Sequence, residues 1–170
     1  MKKIGRWVVV AALCVLVVPL SGTPTPGDEL VGTWKLVSVK DTTESGEVKD
    51  GYGRNPSGFL TYTEDGRMMA ILAHSDRKPL SVEDSVGAPA EERAEAFATF
   101  AAYAGTYTRT GNTMVHHVEI SSLQNRVHTD LTRTIVSLTS KMLILRTPPF
   151  SRGGVKVMSE LVWERWKASQ

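Results

Sequence analysis

Apolar and polar residues alternate in short runs from Leu30 onward, and this period of two is typical of strands whose two faces meet different surroundings. In the first run, LVGTWKLVSVK, one face holds Trp34, Leu36 and Ser38 and the other holds Val39. Turn-forming residues separate this run from those that follow. The later runs cover residues 59–63, 67–74, 106–109, 114–121, 130–139, 141–147 and 155–167. The pattern predicts about eight strands, most of them joined by short turns.

One segment, residues 90–104, has a helical period instead. Glu91 and Glu92 stand where acids favour the first turn of a helix, and Gly105 is a residue that ends one. The apolar residues recur at helical spacing, at Ala94, Phe97, Ala98 and Ala101. We expect this apolar face to cover part of the sheet.

Many strands joined by short turns, with a single helix inserted, favour an all-β fold in which an antiparallel meander closes into a barrel. The Asp65-Gly66 pair between two strand runs is among the better hairpin signals. Two polar loops, residues 41–58 and 75–89, interrupt the series. A barrel of about eight strands either fills its interior with side chains or holds one small ligand, and the pattern leaves both possibilities open.

The first part of the chain has a different character. It begins with basic residues and continues as an uncharged apolar run over residues 7–20. This run is too short to span a bilayer comfortably and fits the apolar region of a secretory signal. We predict that residues 1–28 are a signal peptide and linker, that residues 29–170 form the barrel domain, and that the protein is secreted or periplasmic. The alternative is an uncleaved leader that anchors the protein in a membrane.

The single cysteine, Cys14, lies inside this apolar run and follows Leu13, where a lipidation site has a small residue. We therefore do not predict a lipoprotein. An exported domain without cysteine cannot form disulfides and must rely on its core.

The leader also accounts for the excess of positive charge. All 18 acids lie beyond residue 22, whereas Lys2, Lys3 and Arg6 precede it. Without these three residues, 17 bases stand against 18 acids, a net charge of −1. A nearly neutral body does not suggest nucleic-acid binding, which normally needs a clustered basic face.

Most of the candidate chemistry falls in residues 114–133, which read as a strand, a polar turn and a second strand. Successive side chains of a strand point to opposite faces, so the adjacent His116 and His117 must diverge. The face of His116 is the more apolar, because it also carries Met114, Val118 and Ile120. We expect His116 among buried neighbours, where a histidine typically needs only a hydrogen bond.

The remaining motifs argue against several classes of site. Zinc needs three or four converging ligands, and the four histidines include an adjacent pair that diverges, so no metal site is predicted. The domain has no Gly-x-Ser-x-Gly sequence and no cysteine, which leaves no recognisable hydrolase nucleophile. It also has no glycine-rich phosphate loop, and we predict no cofactor.

Arg133 shares a strand face with Leu131 and Ile135. A guanidinium inside an apolar barrel must be paired, because an isolated buried charge is very costly. Its partner is either an internal acid, Glu119 or Glu160, or an anionic group on a ligand, and the sequence leaves both open.

The candidate site follows from strand parity alone. We predict that Tyr107, His116 and Arg133, on three different strands, project into the barrel and define the polar end of its cavity.

Several segments together resemble the bacterial and fungal lipocalin-like domain family: GTWKLVS, PSGFLTYTEDGRMMAIL, YAGTYTRTGNTMVHHVEIS, LILRTPP and LVWERW. The resemblance covers residues 30–166 and implies a small antiparallel barrel with a helix near one mouth, in which Trp34 and Trp163 pack the closed end. Most members have no assigned activity, so the family implies more about fold than about function. Members usually carry Pro and Gly in the turn after the HHVE strand, where this chain has Gln124 and His128.

These observations favour an exported lipocalin-like barrel that binds a small hydrophobic or amphipathic molecule in its interior. One alternative is an isomerase or cyclase, with His116 as acid/base and Arg133 or Tyr107 as the polarising donor. Another is a filled barrel with a structural role in the envelope. A cavity would separate the first two from the third. Contact with a membrane is expected only through the leader, if it is uncleaved.

Overall fold

The computed structural model describes residues 29–167, so the predicted signal peptide and linker, residues 1–28, lie outside the described residues. The described part contains ten strands, one α-helix and one 3-10 turn. The strands are β1 (Gly32–Thr43), β2 (Val48–Asp50), β3 (Ser57–Tyr62), β4 (Arg67–Ala73), β5 (Phe100–Thr110), β6 (Thr113–Ser121), β7 (Asp130–Leu138), β8 (Met142–Arg146), β9 (Phe150–Arg152) and β10 (Val155–Arg165). Helix α1 covers Ala90–Ala98, and the 3-10 turn covers Gln124–Arg126.

Eight of these strands close into an antiparallel barrel in the order β1-β3-β4-β5-β6-β7-β8-β10, because β10 pairs back onto β1. The short strands β2 and β9 lie outside this ring and pair with β1 and β10. The predicted eight-stranded antiparallel barrel with one inserted helix is therefore confirmed. Within residues 29–167, no helix has the length and apolar character needed to cross a membrane.

The two ends of the barrel differ in their connections. At one end, which we call the closed end, short turns join β3 to β4, β5 to β6 and β7 to β8. At the other, the open end, longer segments join β1 to β3, β4 to β5, β6 to β7 and β8 to β10. The predicted Asp65-Gly66 hairpin lies at the closed end, where Gly66 has the positive φ of 82° that glycine adopts without strain.

The closed end is sealed around Trp34, whose side chain is fully buried. Its indole nitrogen donates a hydrogen bond to the carbonyl of Leu30 at 2.9 Å. The guanidinium of Arg165 lies 4.1 Å from the centroid of the Trp34 ring and donates to the carbonyl of Val31 at 2.8 Å. The segment before β1 is thus pinned across the end of the barrel, and the prediction that Trp34 belongs to the core is confirmed.

Three register shifts interrupt the pairing of the barrel strands, in β1, β6 and β7, and the first two change the strand parity that the sequence predicts. In β1 the register with β10 shifts between Leu36 and Ser38, so that Val39 and Asp41 turn inward and are 1% and 5% exposed. A bulge adds one unpaired residue and therefore exchanges the faces of everything beyond it. The placement of Ser38 and Val39 on the faces predicted for them was therefore wrong.

The second bulge lies in β6, opposite the junction of Ala104 and Gly105 in β5. Beyond it Ile120 turns outward and is 67% exposed, so its predicted place in the core was wrong. A Cβ on Gly105 would lie 1.9 Å from the carbonyl oxygen of His117. Gly105 is therefore needed for the close approach of the two strands at the bulge.

The predicted helix over residues 90–104 is only partly correct. Helix α1 ends at Ala98, and the chain then enters β5, where Ala101 pairs with Leu72 and Ala104 pairs with Met69 of β4. Pairing between strands overrides the helix propensity of the alanines. The predicted apolar face does not cover the sheet, since Ala94, Phe97 and Ala98 are exposed.

Candidate functional site

A cavity of about 330 Å³ occupies the barrel interior towards the open end. Such a volume is at the lower end of the range found for small-molecule pockets. Most of its wall is apolar, formed by Val39, Leu60, Leu72, Leu131, Leu145 and Leu161. Its polar lining residues include His116, Tyr103, Arg133 and Trp163 deeper in the barrel, and Arg126, Asp130 and Arg152.

His116 lies on β6 and is 1% exposed, as its parity predicted. Its Nε2 is 2.7 Å from the hydroxyl of Tyr62 on β3, and its Nδ1 is 3.1 Å from the hydroxyl of Tyr103 on β5. Burial lowers the pKa of His116 well below its usual value, and the charges of Arg133 and His117 lower it further. The imidazole is therefore neutral at physiological pH and fully hydrogen-bonded.

Tyr62 and Tyr103 were not predicted as site residues. Tyr62 is fully buried, and burial raises the pKa of its hydroxyl well above the usual value, so it keeps its proton. A parity signal existed for Tyr62, which lies two residues after the buried Leu60 on β3. Tyr103 carried no such signal, because residues 90–104 were assigned to the helix.

Tyr107 projects inward as predicted, but it does not line the cavity. Its hydroxyl donates to the carbonyl of Thr63 at 3.0 Å, beside the β3–β4 turn. Its ring packs against Tyr62 with the centroids 4.7 Å apart. Tyr107 therefore lies towards the closed end, whereas the cavity brings together His116 and Arg133.

Arg133 is half-buried on β7 and lines the cavity. Neither predicted internal acid is its partner, because Glu119 pairs with Arg67 at 2.9 Å and Glu160 with Arg146 at 2.7 Å. Nη1 of Arg133 donates to the carbonyl of Thr132 at 2.7 Å. Among residues 29–167, no carboxylate oxygen lies within 4.0 Å of its guanidinium. Of the two alternatives that the sequence left open, pairing with Glu119 or Glu160 is therefore excluded.

Trp163 on β10 is 2% exposed and forms part of the cavity wall. Its indole N–H is the one buried side-chain polar atom in the described part of the chain that has no hydrogen-bond partner. Such orphaned donors are rare in native interiors and need an explanation.

Arg152, in β9, ties the strands together near the open end. Its Nε lies 3.2 Å from the carboxylate of Asp41, which also accepts a hydrogen bond from the hydroxyl of Ser159. Its Nη1 donates to the carbonyl of Gly51 at 2.7 Å, and its guanidinium lies 4.9 Å from the ring centroid of Tyr52. Arg152 is thus a paired cation, in contrast to Arg133.

His117 lies on the outer face of β6, so the predicted divergence of the two histidines is confirmed. Its Nδ1 is 2.7 Å from the carboxylate of Asp130, and its Nε2 is 3.1 Å from the hydroxyl of Thr108. Among the residues that the structure describes, no group of three or more His, Cys, Asp or Glu side chains is placed to hold a metal ion.

His128 stands in the turn after the HHVE strand, where members of the family usually carry glycine. It has a φ of 61°, in the left-handed region that favours glycine. It follows the 3-10 turn Gln124–Arg126 in the connection between β6 and β7 at the open end. The backbone thus keeps a glycine-type conformation there, although the residue is histidine.

An eight-stranded antiparallel barrel, sealed at one end and holding a cavity near the other, places the protein in the class of small β-barrels with an interior cavity. Residues 31–166 match the model of the Lipocalin-like domain family. The chain belongs to this family.

Solved structures with a related outline include a lipocalin-like protein from Bacteroides uniformis and an uncharacterized protein from Bacteroides eggerthii. The first is 14% identical and the second 13%, each covers 81% of this chain and 99% of its own, and both have a TM-score of 0.43. A redesigned beta barrel is 13% identical over 82% of this chain and 93% of its own, with a TM-score of 0.39. Likenesses this low carry no argument about function. No curated protein matches the chain.

Proposed function

We propose that the protein is an exported barrel that binds one small, largely apolar molecule in the cavity at its open end. The cavity itself carries the proposal. Its apolar wall can pack against an apolar molecule, and its few polar groups can hydrogen-bond one polar group of that molecule and so fix its orientation. The export part is supported by the basic start and apolar run of the leader.

The cavity and the state of Arg133 favour binding over a filled barrel with a structural role. In a filled barrel, a cation that faces the interior would be expected to be matched by an interior acid, because pairing offsets part of the cost of removing each charge from water. Both acids that could have served are engaged elsewhere, Glu119 by Arg67 and Glu160 by Arg146. A bound molecule would supply the missing partner.

The environment of His116 favours binding over an isomerase or cyclase. A general acid or base must lie within hydrogen-bond reach of the proton that it transfers, or reach that proton through one water. Both ring nitrogens of His116 are occupied by tyrosine hydroxyls, and the ring is 1% exposed. Its role in the proposal is to orient the tyrosines rather than to transfer a proton.

The test is a titration of purified protein with an apolar fluorescent probe, comparing two matched variants of β7. Leu131→Phe places extra volume in the cavity, whereas Val136→Phe places it on the outer face, where Val136 is 44% exposed. We expect Leu131→Phe to weaken probe binding at least tenfold and Val136→Phe to leave it unchanged. Equal affinity in all three proteins would place the probe outside the barrel and contradict the proposal.

A further inference from the structure

The hydrogen bonds around His116 determine which hydroxyl can reach a bound molecule. A neutral imidazole has one N–H donor and one bare acceptor nitrogen. One of the two tyrosines must therefore donate to His116, and the other must accept from it. The tyrosine that accepts still has its own proton to place in a further hydrogen bond.

The surroundings of Tyr62 decide between the two arrangements. Tyr62 is fully buried, and within the described residues its hydroxyl is hydrogen-bonded to His116 alone. If Tyr62 accepted from Nε2, its own proton would be buried without an acceptor, at the full cost of desolvation. The favoured arrangement has Tyr62 donating to Nε2 and Nδ1–H donating to Tyr103.

Tyr103 is then left with a proton to donate. Its side chain is 8% exposed and lines the cavity, and among residues 29–167 its hydroxyl is hydrogen-bonded only to His116. The chain of hydrogen bonds that begins at Tyr62 thus ends in an O–H donor available to a molecule in the cavity.

Besides Arg126 and Arg152, two more residues with N–H donors line the same cavity. The indole N–H of Trp163 is buried without a partner, and indole nitrogen donates but never accepts. The guanidinium of Arg133 has five N–H donors and no carboxylate partner among the described residues. The acids near the cavity pair with other side chains, Asp130 with His117 and Asp41 with Arg152.

Resting on the proposed binding function, we infer that the bound molecule carries a carboxylate, held by Arg133 with Tyr103 and Trp163 as additional donors, while its apolar body packs against the leucine-rich wall. These three donors, of which Arg133 carries a positive charge, match an anionic group that accepts hydrogen bonds. An alcohol would satisfy fewer of these donors, and an amine would meet a like charge.

The experiment is calorimetric titration at pH 7.5 with three probes of equal chain length: octanoate, 1-octanol and octylamine. We expect octanoate to bind at least tenfold more tightly than 1-octanol, and octylamine to bind most weakly, because a hydrogen bond to a charged group is the stronger kind. Binding of all three with similar affinity would overturn the carboxylate inference and leave the proposed function intact. Binding of none would count against both.

Variants then assign the donors. Arg133→Met should lower octanoate affinity tenfold to a hundredfold, to the level of 1-octanol, and leave 1-octanol binding unchanged. Tyr103→Phe should lower octanoate affinity about tenfold. Arg146→Met, which removes a cation from the partly buried Arg146–Glu160 pair on the outer face of β8, is the matched control and should bind octanoate as wild type does. Should Arg133→Met fail to fold, the three-probe comparison on wild-type protein still decides.

The hydrogen-bond arrangement has its own readout. Nitrogen NMR of His116 should place the ring hydrogen on Nδ1. A hydrogen on Nε2 would mean that Tyr103 donates to the ring instead, and the assignment of Tyr103 as a donor to the carboxylate would be wrong.

Discussion

Arg133 and Arg152 line the same cavity, but substitution by leucine should lower the stability of the protein far more at Arg152 than at Arg133. Arg152 lies 3.2 Å from Asp41, whose side chain is 7% exposed, whereas Arg133 has no carboxylate partner in the described part of the chain. Arg152→Leu leaves the buried Asp41 charge without its cation, and losing one partner of a buried pair costs about 3–5 kcal/mol. Arg133→Leu leaves no acid behind and gives up one hydrogen bond, to the Thr132 carbonyl. We expect it to change the free energy of unfolding by no more than about 1 kcal/mol.

The assay is urea unfolding of both variants and wild type at pH 7.5, followed by tryptophan fluorescence, with octanoate binding measured in parallel. The account predicts a stable Arg133→Leu protein that has lost its preference for octanoate, and an Arg152→Leu protein that is markedly less stable. A loss of 3 kcal/mol or more in Arg133→Leu would show that Arg133 serves the scaffold, and the reasoning would be refuted.

Three further predictions concern the core, the buried histidine and the leader. Trp34→Ala should destabilise the barrel by about 3–5 kcal/mol, since it removes a fully buried indole from the closed end; an unchanged melting temperature would exclude that role. The pKa of His116 is lower in the folded state than its value of about 6.5 in the unfolded state, so between these two pKa values the unfolded state binds more protons. The free energy of unfolding should therefore fall as the pH drops below about 6.5. Melting curves of His116→Gln from pH 7 to pH 5 should lack this part of the pH dependence. N-terminal sequencing of exported protein should find a start between Ser21 and Asp28, and a chain that still contains Trp7 would favour a membrane anchor.

The barrel was predictable because most of its strands have one buried and one exposed face, so apolar and polar residues alternate along the sequence. The bulges in β1, β6 and β7 were not predictable in the same way. A bulge adds a single residue without changing composition, so Val39 and Ile120 lie on the faces opposite to those that alternation gives. Each bulge is visible only once the partner strand is known.

The predicted end of the helix, at residue 104, was wrong for a related reason, since α1 ends at Ala98. Alanines at 101, 102 and 104 favour helix locally, yet β5 supplies the pairing that both β4 and β6 need. Without β5, the edges of β4 and β6 would have unpaired backbone groups. This would cost more free energy than the few tenths of a kcal/mol by which each alanine favours a helix. This misassignment also hid Tyr103 from the candidate site.

Parity placed His116 and Arg133 inside the barrel, but it could not name their neighbours. Tyr62 lies 54 residues from His116 in the chain, and the hydrogen bond between them depends on strand order around the whole barrel. The internal acids considered as partners of Arg133 pair with other arginines, Glu119 on β6 with Arg67 on β4 and Glu160 on β10 with Arg146 on β8.

The claim that the barrel holds a small apolar molecule is tested most directly by native mass spectrometry of the protein purified from its own host. The account predicts a stoichiometric added mass that is released on denaturation, that is absent from Leu131→Phe, and that belongs to a molecule bearing a carboxylate. A bare polypeptide mass, together with no binding of octanoate or 1-octanol by the same preparation, would contradict it.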